Sequence, residues 1–354
     1  MSVPLQVLLA KPPTADEAFR LARLLSISGA GPSVMLVVGQ LLRLAVVQGP
    51  NCCTPIDNLI VVHRSAPRPN GESVTLATLA DADMVLIGLY GTKHGGMDEG
   101  TFSAHPTAGR TEAEVNEAVH LALAAIKAEM PSDVDKDKTF IMFPGCPTPI
   151  VDYIVKEMPL HWEYHHNSTY VEDRVKPQPH LQMGSSWIDD ETGETFFIDR
   201  IRPSDIDYVI SAKTLEYDQE YVEFVTQTYP FTELNCMIRA FPKGIDPATA
   251  STEQGDPAAW VVAHHNLSSG LQATRDKYRR RKLAAKCIKI TTQLQIEFMR
   301  KHGARIFGNG GIEPMAYGFV NDGNVAIARM LEGCGFRKVE GVRFKWIGIK
   351  LSSI

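Results

Sequence analysis

The run from Leu271 to Phe298 limits the possible folds more than any other stretch of this chain. It opens as a strand-like segment ending near Thr274. It then crosses a turn carrying Arg275, Lys277, Arg279, Arg280, Arg281 and Lys282, with Lys286 just beyond, and continues with apolar residues at Leu283, Cys287, Ile290, Leu294 and Phe298. The spacing i, i+4, i+7 is that of an amphipathic helix. A strand thus feeds a helix through a basic turn, and positive charge gathers where free backbone N–H groups and the helix dipole already favour an anion. Alone, the run also describes a solvated helix start; its neighbours point to a phosphate-bearing ligand.

The 354 residues leave room for two ordinary domains. Apolar content of 44% supports a sizeable core and excludes a disordered chain. A formal net charge of -5 argues against nucleic-acid binding, so the basic turn suits a small anionic ligand better than a polyanion. Six scattered cysteines form no CxxC pair or zinc spacing, which fits a reducing, intracellular compartment, cytoplasmic or mitochondrial. Cys287, on the apolar helix face, reads as a small buried hydrophobe. Met35–Val47 comes nearest to a membrane span but is interrupted by Gln40 and Arg43, so no membrane partner is expected.

Along the chain, residues 1–56 read as one or two apolar helices broken at Gly29–Pro32. Strands are expected at Leu59–Val62 and Met84–Tyr90, a Gly- and His-rich loop at Thr92–Gly109, and a helix from the Thr111–Glu114 capping box to Met130. A strand at Thr139–Phe143, a short helix at Ile150–Met158 and a strand at His161–His166 complete an alternating α/β half. The Pro- and Gly-bearing stretch Lys176–Trp187 marks the boundary, giving domains at 1–180 and 195–354. The second half opens with a strand at Phe196–Arg202. Helical patterns follow at Ile206–Lys213, Glu216–Val225 and Leu234–Ala240, then a polar loop at Lys243–Pro257. A strand at Ala258–Ala263 turns at Asn266–Ser269 into Gly270–Thr274 and the basic turn. After the long helix come a strand at Met315–Val320, a helix at Asn324–Gly333 and a last alternating strand bearing Val342, Phe344 and Trp346. His161, His165 and His166 lack carboxylate spacing and adjacent strand side chains diverge, so no metal is expected.

This order of elements resembles the GNAT acyltransferase superfamily. Arg279-Arg-Arg-Lys-Leu-Ala284 matches its cofactor loop at Arg279 and Ala284, with Lys282 where glycine is usual; Asn324 opens a helix that ends at Gly335-Phe336. Residues from about 200 to 350 resemble more closely the glycine N-acyltransferase family, through Met237–Pro242, Ala259–Val262, Tyr278-Arg279, Tyr317–Asn324 and Lys345-Trp346. The resemblance implies an α/β (α+β) fold: a GNAT-like mixed sheet with splayed parallel strands, preceded by a second, degenerate GNAT-like α/β domain. It implies acyl-CoA or acetyl-CoA as co-substrate. The backbone around Leu271, Ala273 and Thr274 would pair with pantetheine, and the N–H groups of Arg280, Arg281, Lys282, Leu283 and Ala284 would hold the pyrophosphate. Arg279 and its basic neighbours would add charge, and Asn324 would complete the cofactor site. Lys282 in a right-handed helical conformation would still present its N–H.

The implied reaction is attack of a small-molecule amine on the thioester, with glycine or another amino acid as first acceptor. A backbone N–H near Leu271 would hold the oxyanion. Ungapped matching puts Ser268 where the family carries a glutamate base, which leaves His264, His265, Ser268 and Glu313 as candidates for the base. Leu331 stands where the superfamily often has a tyrosine acid. The rivals are an acetyltransferase acting on a polyamine or protein lysine, and an inactive acyl-CoA-binding pseudoenzyme. Nothing in the sequence sets an oligomeric state.

Overall fold

In the computed structural model, the residues described are 3–10, 12–28, 31–47, 58–64, 75, 79, 83–92, 99–130, 135–143, 146–172, 180–212, 219–250 and 255–354. The first half contains β1 (Leu5–Ala10), α1 (Ala15–Ile27), α2 (Met35–Val46), β2 (Asn58–Arg64), β3 (Asp83–Thr92), β4 (Glu99–Pro106), α3 (Glu112–Glu129), β5 (Phe140–Met142), β6 (Cys146–Pro147), α4 (Thr148–Glu157) and β7 (Leu160–Glu172). The second contains β8 (Ser186–Ile188), β9 (Thr195–Asp199), α5 (Ile206–Ser211), α6 (Gln219–Gln227), α7 (Phe231–Leu234), β10 (Cys236–Phe241), β11 (Asp256–Ala263), β12 (Ser269–Thr274), α8 (Leu283–His302), β13 (Ala316–Asn321), α9 (Val325–Gly333) and β14 (Arg337–Lys350).

The strands join one mixed sheet in the order β1-β2-β3-β4-β5-β14-β7-β13-β12-β11-β10-β9-β8, with β6 on β14. Each half carries the same unit, a hairpin whose second strand runs through a helix to a parallel strand. The units are β3–β4–α3–β5 and β11–β12–α8–β13. Their closing strands are exchanged: β7 pairs with β13 of the second half, and β14 pairs with β5 of the first. The two exchanged strands pair with each other at the centre.

Three apolar clusters cover this sheet. One joins α1, α2 and α6 to Trp260 and Tyr317; a second packs α3 and α4 on β2–β4 and β14; the third packs α8 on β10, β11 and β13. Cys287 is fully buried in the third, as its helical position predicts. Helices α1 and α3 begin at a Thr–Glu capping box, Thr14 with Glu17 and Thr111 with Glu114.

Three expectations for the elements need correction. Leu5–Ala10 is a strand, because its pairing with β2 satisfies its backbone. Glu99–Pro106, inside the expected loop, is also a strand, its Gly- and His-rich sequence held by β3; residues 93–98 lie outside the described residues. Cys236–Phe241 is a strand rather than a helix, buried at every position between β9 and β11. A short continuous apolar run has no period that separates a buried strand from a helix. The predicted helix ends at Lys213 and Glu216 also lie outside the described residues.

Candidate functional site

Parallel strands β12 and β13 meet at one register pair, Ser269 with Gly318. Beyond it β12 leans away. Trp260 faces Ala273 and Val262 faces Gly270, so Val261 stands opposite both Leu271 and Gln272, a bulge that puts Leu271 at φ 44°. A bulge bends its strand and re-aims the backbone. β13 stays paired with β7 along its length, from Ala316 to Asn321. The result is a V closed at Ser269 and open toward the C-terminal ends of both strands, where α/β sheets usually receive ligands. Along β12, Gln272 Oε1 and Thr274 Oγ1 are buried without a hydrogen-bond partner among the described residues.

At the open end the chain makes a short 3₁₀ turn, with Tyr278 N–H donating to the Arg275 carbonyl and Tyr278 Oη to Asp256 2.9 Å away. Arg279 is then extended, Arg280 turns left-handed at φ 65°, and Lys282 does so again at φ 59° as the N-cap of α8. Left-handed residues in a turn are the kind of backbone that can form an anion-binding concavity. Among the described residues nothing accepts a hydrogen bond from the N–H groups of Arg280 to Ala284. The first turn of α8 has no acid and no side-chain cap. Lys282 therefore departs from the right-handed conformation expected of it. The position demands a positive φ, which glycine adopts freely and lysine adopts at a cost of roughly 1–2 kcal/mol.

The basic side chains divide into two sets. Arg281 turns inward, paired with Asp189 at 3.2 Å and Glu194 at 2.9 Å and lying over Phe196 and Tyr278. Its guanidinium ties the loop to the β8–β9 hairpin, while its N–H stays in the row from Arg280 to Ala284. Arg279 pairs with Asp276 at 2.8 Å on the surface. Arg280 and Lys282 are exposed and form no ion pair among the described residues. The side chain of Asn324 accepts from Ile327 N–H at 3.2 Å and caps α9, across the mouth of the V.

The closed end is a tight hairpin loop. His264 N–H donates to the Ser268 carbonyl at 2.8 Å, Leu267 N–H to the His264 carbonyl at 2.7 Å, and Leu267 sits at φ 66°. Ser268, 1% exposed, donates its hydroxyl to Asn266 Oδ1 at 2.7 Å and so braces the loop instead of facing substrate as a base. Gln295 on α8 holds the other side through Leu267 and Ser269. Tyr221 Oη lies 2.7 Å from His264 Nδ1 and 3.2 Å from His265 Nδ1. Burial pushes His264 down to about 4, so it is neutral at pH 7. Glu313 is exposed in the loop before β13.

Two residues of this site escape sequence reasoning. Tyr221 carries no signal beyond its place on a helical pattern. Arg43 does carry one, as a fully buried charge within an apolar helix: its Nε donates to the His265 carbonyl at 2.9 Å. Helix α2 thus braces the loop from the first half. Gly39 lies directly against the Asn266 carbonyl and Tyr317 hydroxyl, where any side chain would overlap both.

In the repeat of this unit in the first half, described side chains fill the space between the paired strands. Cys146 Sγ donates to the Phe102 carbonyl at 3.3 Å, and Phe143 packs edge-on to Phe102. At the start of α3, Glu114 accepts from Thr111 N–H at 2.9 Å while Glu112 adds a second negative charge, so this helix start repels anions. Among the described residues there is no metal-binding group of three or more His, Cys, Asp or Glu, and no helix is long and apolar enough to cross a membrane.

No protein-family model matches the sequence, and comparison with curated proteins also gave no match. Solved structures do match. A Drosophila protein from a structural genomics programme is similar with a TM-score of 0.58 at 12% identity, over 98% of this chain and 99% of that one. A GCN5-related N-acetyltransferase from Sphaerobacter thermophilus is similar with a TM-score of 0.51 at 12% identity, over 99% of this chain and 97% of that one. At such identity the likeness is one of fold: a GNAT-like architecture that extends over both halves of the chain.

Proposed function

We propose that this chain is an acyl-CoA-dependent N-acyltransferase whose chemistry resides in the second half. The observation that carries this reading is the row of N–H groups from Arg280 to Ala284, without an acceptor among the described residues, at the open end of the β12–β13 V. Backbone donors converging at a helix start suit a pyrophosphate, with Arg280 and Lys282 adding charge. The unpaired edge of β12 suits the amides of pantetheine, and buried Gln272 Oε1 and Thr274 Oγ1 are polar atoms that a ligand in the V would satisfy. The thioester carbonyl then lies toward Leu271, whose N–H at the bulge holds the oxyanion.

The acceptor amine first gives a proton to a base. Its nitrogen attacks the thioester carbon, the C–S bond breaks, and the product is an amide plus the free thiol of coenzyme A. Leu331, buried on α9, offers no acid to the leaving sulfur. A thiolate leaves without one far more readily than an alkoxide does. Glycine or another amino acid is the first acceptor class, on the resemblance of residues 200–350 to the glycine N-acyltransferase family.

Free-thiol release from several acyl-CoA donors, measured against amino acids, polyamines and a lysine peptide, tests the reading. Turnover with amino acids is the expected result. Turnover confined to polyamine or peptide overturns the acceptor. Binding of acyl-CoA without turnover indicates a pseudoenzyme, a second reading that Leu331 and the braced Ser268 favour. Arg280→Ala combined with Lys282→Ala should weaken acyl-CoA binding about tenfold; unchanged affinity removes the phosphate role from these side chains.

A further inference from the structure

We infer that Gln295 is the chain-length stop of the donor site and confines the acyl group to acetyl or propionyl. This rests on the acyl-transfer reading above and names the donor class within it. With the thioester carbonyl at Leu271, the acyl carbons lead on along β12 toward Gly270 and Ser269. There β12 and β13 pair at Ser269 and Gly318, and paired strands lie about 4.8 Å apart, too close for a hydrocarbon to pass between them. The acyl group must therefore turn to one face of the sheet. On the face of α6, the His264 ring lies where a side chain at Gly270 would stand. On the face of α8, Gln295 spans the end of the V. Its Nε2 donates to the Leu267 carbonyl at 3.0 Å, and its Oε1 accepts from the Ser269 hydroxyl at 3.1 Å.

Gln295 is buried, and these two bonds hold its amide across the end of the hairpin. Moving it aside for a longer chain would strand the Leu267 carbonyl, the Ser269 hydroxyl and its own amide in a dry place, and hydrocarbon offers none of them a bond. The wall beside it is polar too. Thr291, one turn earlier on α8, and Gln272 on β12 each bury an oxygen without a hydrogen-bond partner among the described residues. Some room remains before the stop. Gly318 has no side chain, and a carbon at its β position would meet, among the described residues, only the Ser269 carbonyl, at 3.2 Å. Its neighbours Tyr317 and Phe319 belong to the cluster on the opposite face, so this gap opens toward α8. A methyl or ethyl group fits there, and a longer chain meets Gln295.

Isothermal titration of the full chain with coenzyme A and its acetyl, propionyl, butyryl, hexanoyl and octanoyl thioesters reads the stop without turnover. Affinity should hold through propionyl and fall about tenfold or more by octanoyl. In Gln295→Ala the fall should vanish, and the first added methylenes should each gain up to about fourfold. That variant also unpins the hairpin, so Gly318→Ala tests the same gap from the other strand with the brace intact. It should cut acetyl-CoA affinity about tenfold relative to coenzyme A. Octanoyl-CoA bound by the native chain as tightly as acetyl-CoA overturns the inference. So does an unchanged length profile in Gln295→Ala, or an unchanged ratio of acetyl-CoA to coenzyme A affinity in Gly318→Ala. Those results leave the acyl-transfer reading standing. A chain that binds neither coenzyme A nor any thioester sinks that reading, and the stop with it.

Discussion

Single residues decide both the quality of the anion site and the acid sensitivity of the fold. Lys282 keeps a left-handed conformation that glycine would adopt without strain. In Lys282→Gly the relief, about 1 kcal/mol, is offset by the greater freedom of glycine in the unfolded chain. Urea midpoints should therefore stay nearly constant, while coenzyme A binding weakens by the loss of the Lys282 charge. Lys282→Val should lower the midpoint, since a β-branched residue tolerates positive φ worst. His264 and His105 are both pushed down to about 4 from 6.5 by burial. Between these values the unfolded chain takes up protons that the folded chain refuses. Stability is thus intact above about pH 6.5 and declines as pH falls toward 4, by at most about 1.4 kcal/mol per unit for each ring. Urea titrations across that window should show the decline, and His105→Gln should flatten it.

At the scale of elements, two helices in equivalent places of the repeat have opposite starts. α3 satisfies its own N-terminus with Thr111 and Glu114, whereas α8 leaves its donors open. Ala284→Glu would give α8 the acid it lacks. The dipole should then gain about 0.5 kcal/mol, while a pyrophosphate at the same donors would meet a like charge. Thermal unfolding should rise slightly as acyl-CoA affinity falls; parallel changes would remove the site from this helix start. Helix α2 makes the complementary point about packing. Gly39→Ala forces the Asn266 carbonyl and Tyr317 hydroxyl apart from the helix, an overpacking that should cost about 1–3 kcal/mol and displace the loop bearing His264 and His265. Calorimetry and a drop in kcat would report the two effects.

Across the whole molecule, the exchange of β7 and β14 makes each half depend on the other. A fragment of residues 1–180 retains β7 and β5 but lacks β14, which lies between them. Two unpaired strand edges at the centre of a sheet invite aggregation. The fragment alone should fail to give a cooperative unfolding transition by circular dichroism, whereas the full chain should unfold with both halves coupled. A fragment that unfolds cooperatively would show that the exchange is dispensable. The domains proposed at 1–180 and 195–354 are in this sense units of sequence whose sheets are completed by each other.

The sequence by itself determined what depends on local chemistry. The capping box at Thr111, the apolar stripe from Leu283 to Phe298, the Asn324 cap and the basic turn were all legible, because periodicity and caps act within a few residues. What depends on distant neighbours was not. Cys236–Phe241 became a strand through β9 and β11, and Glu99–Pro106 through β3. The Arg281 side chain was turned inward by two carboxylates on another hairpin, and the Ser268 hydroxyl was engaged by Asn266. The V itself arises from a bulge between two strands, and Tyr221 meets His265 only because α6 folds over the loop that α2 braces. Such contacts join residues far apart in the chain, and no local pattern encodes which partner the backbone will bring.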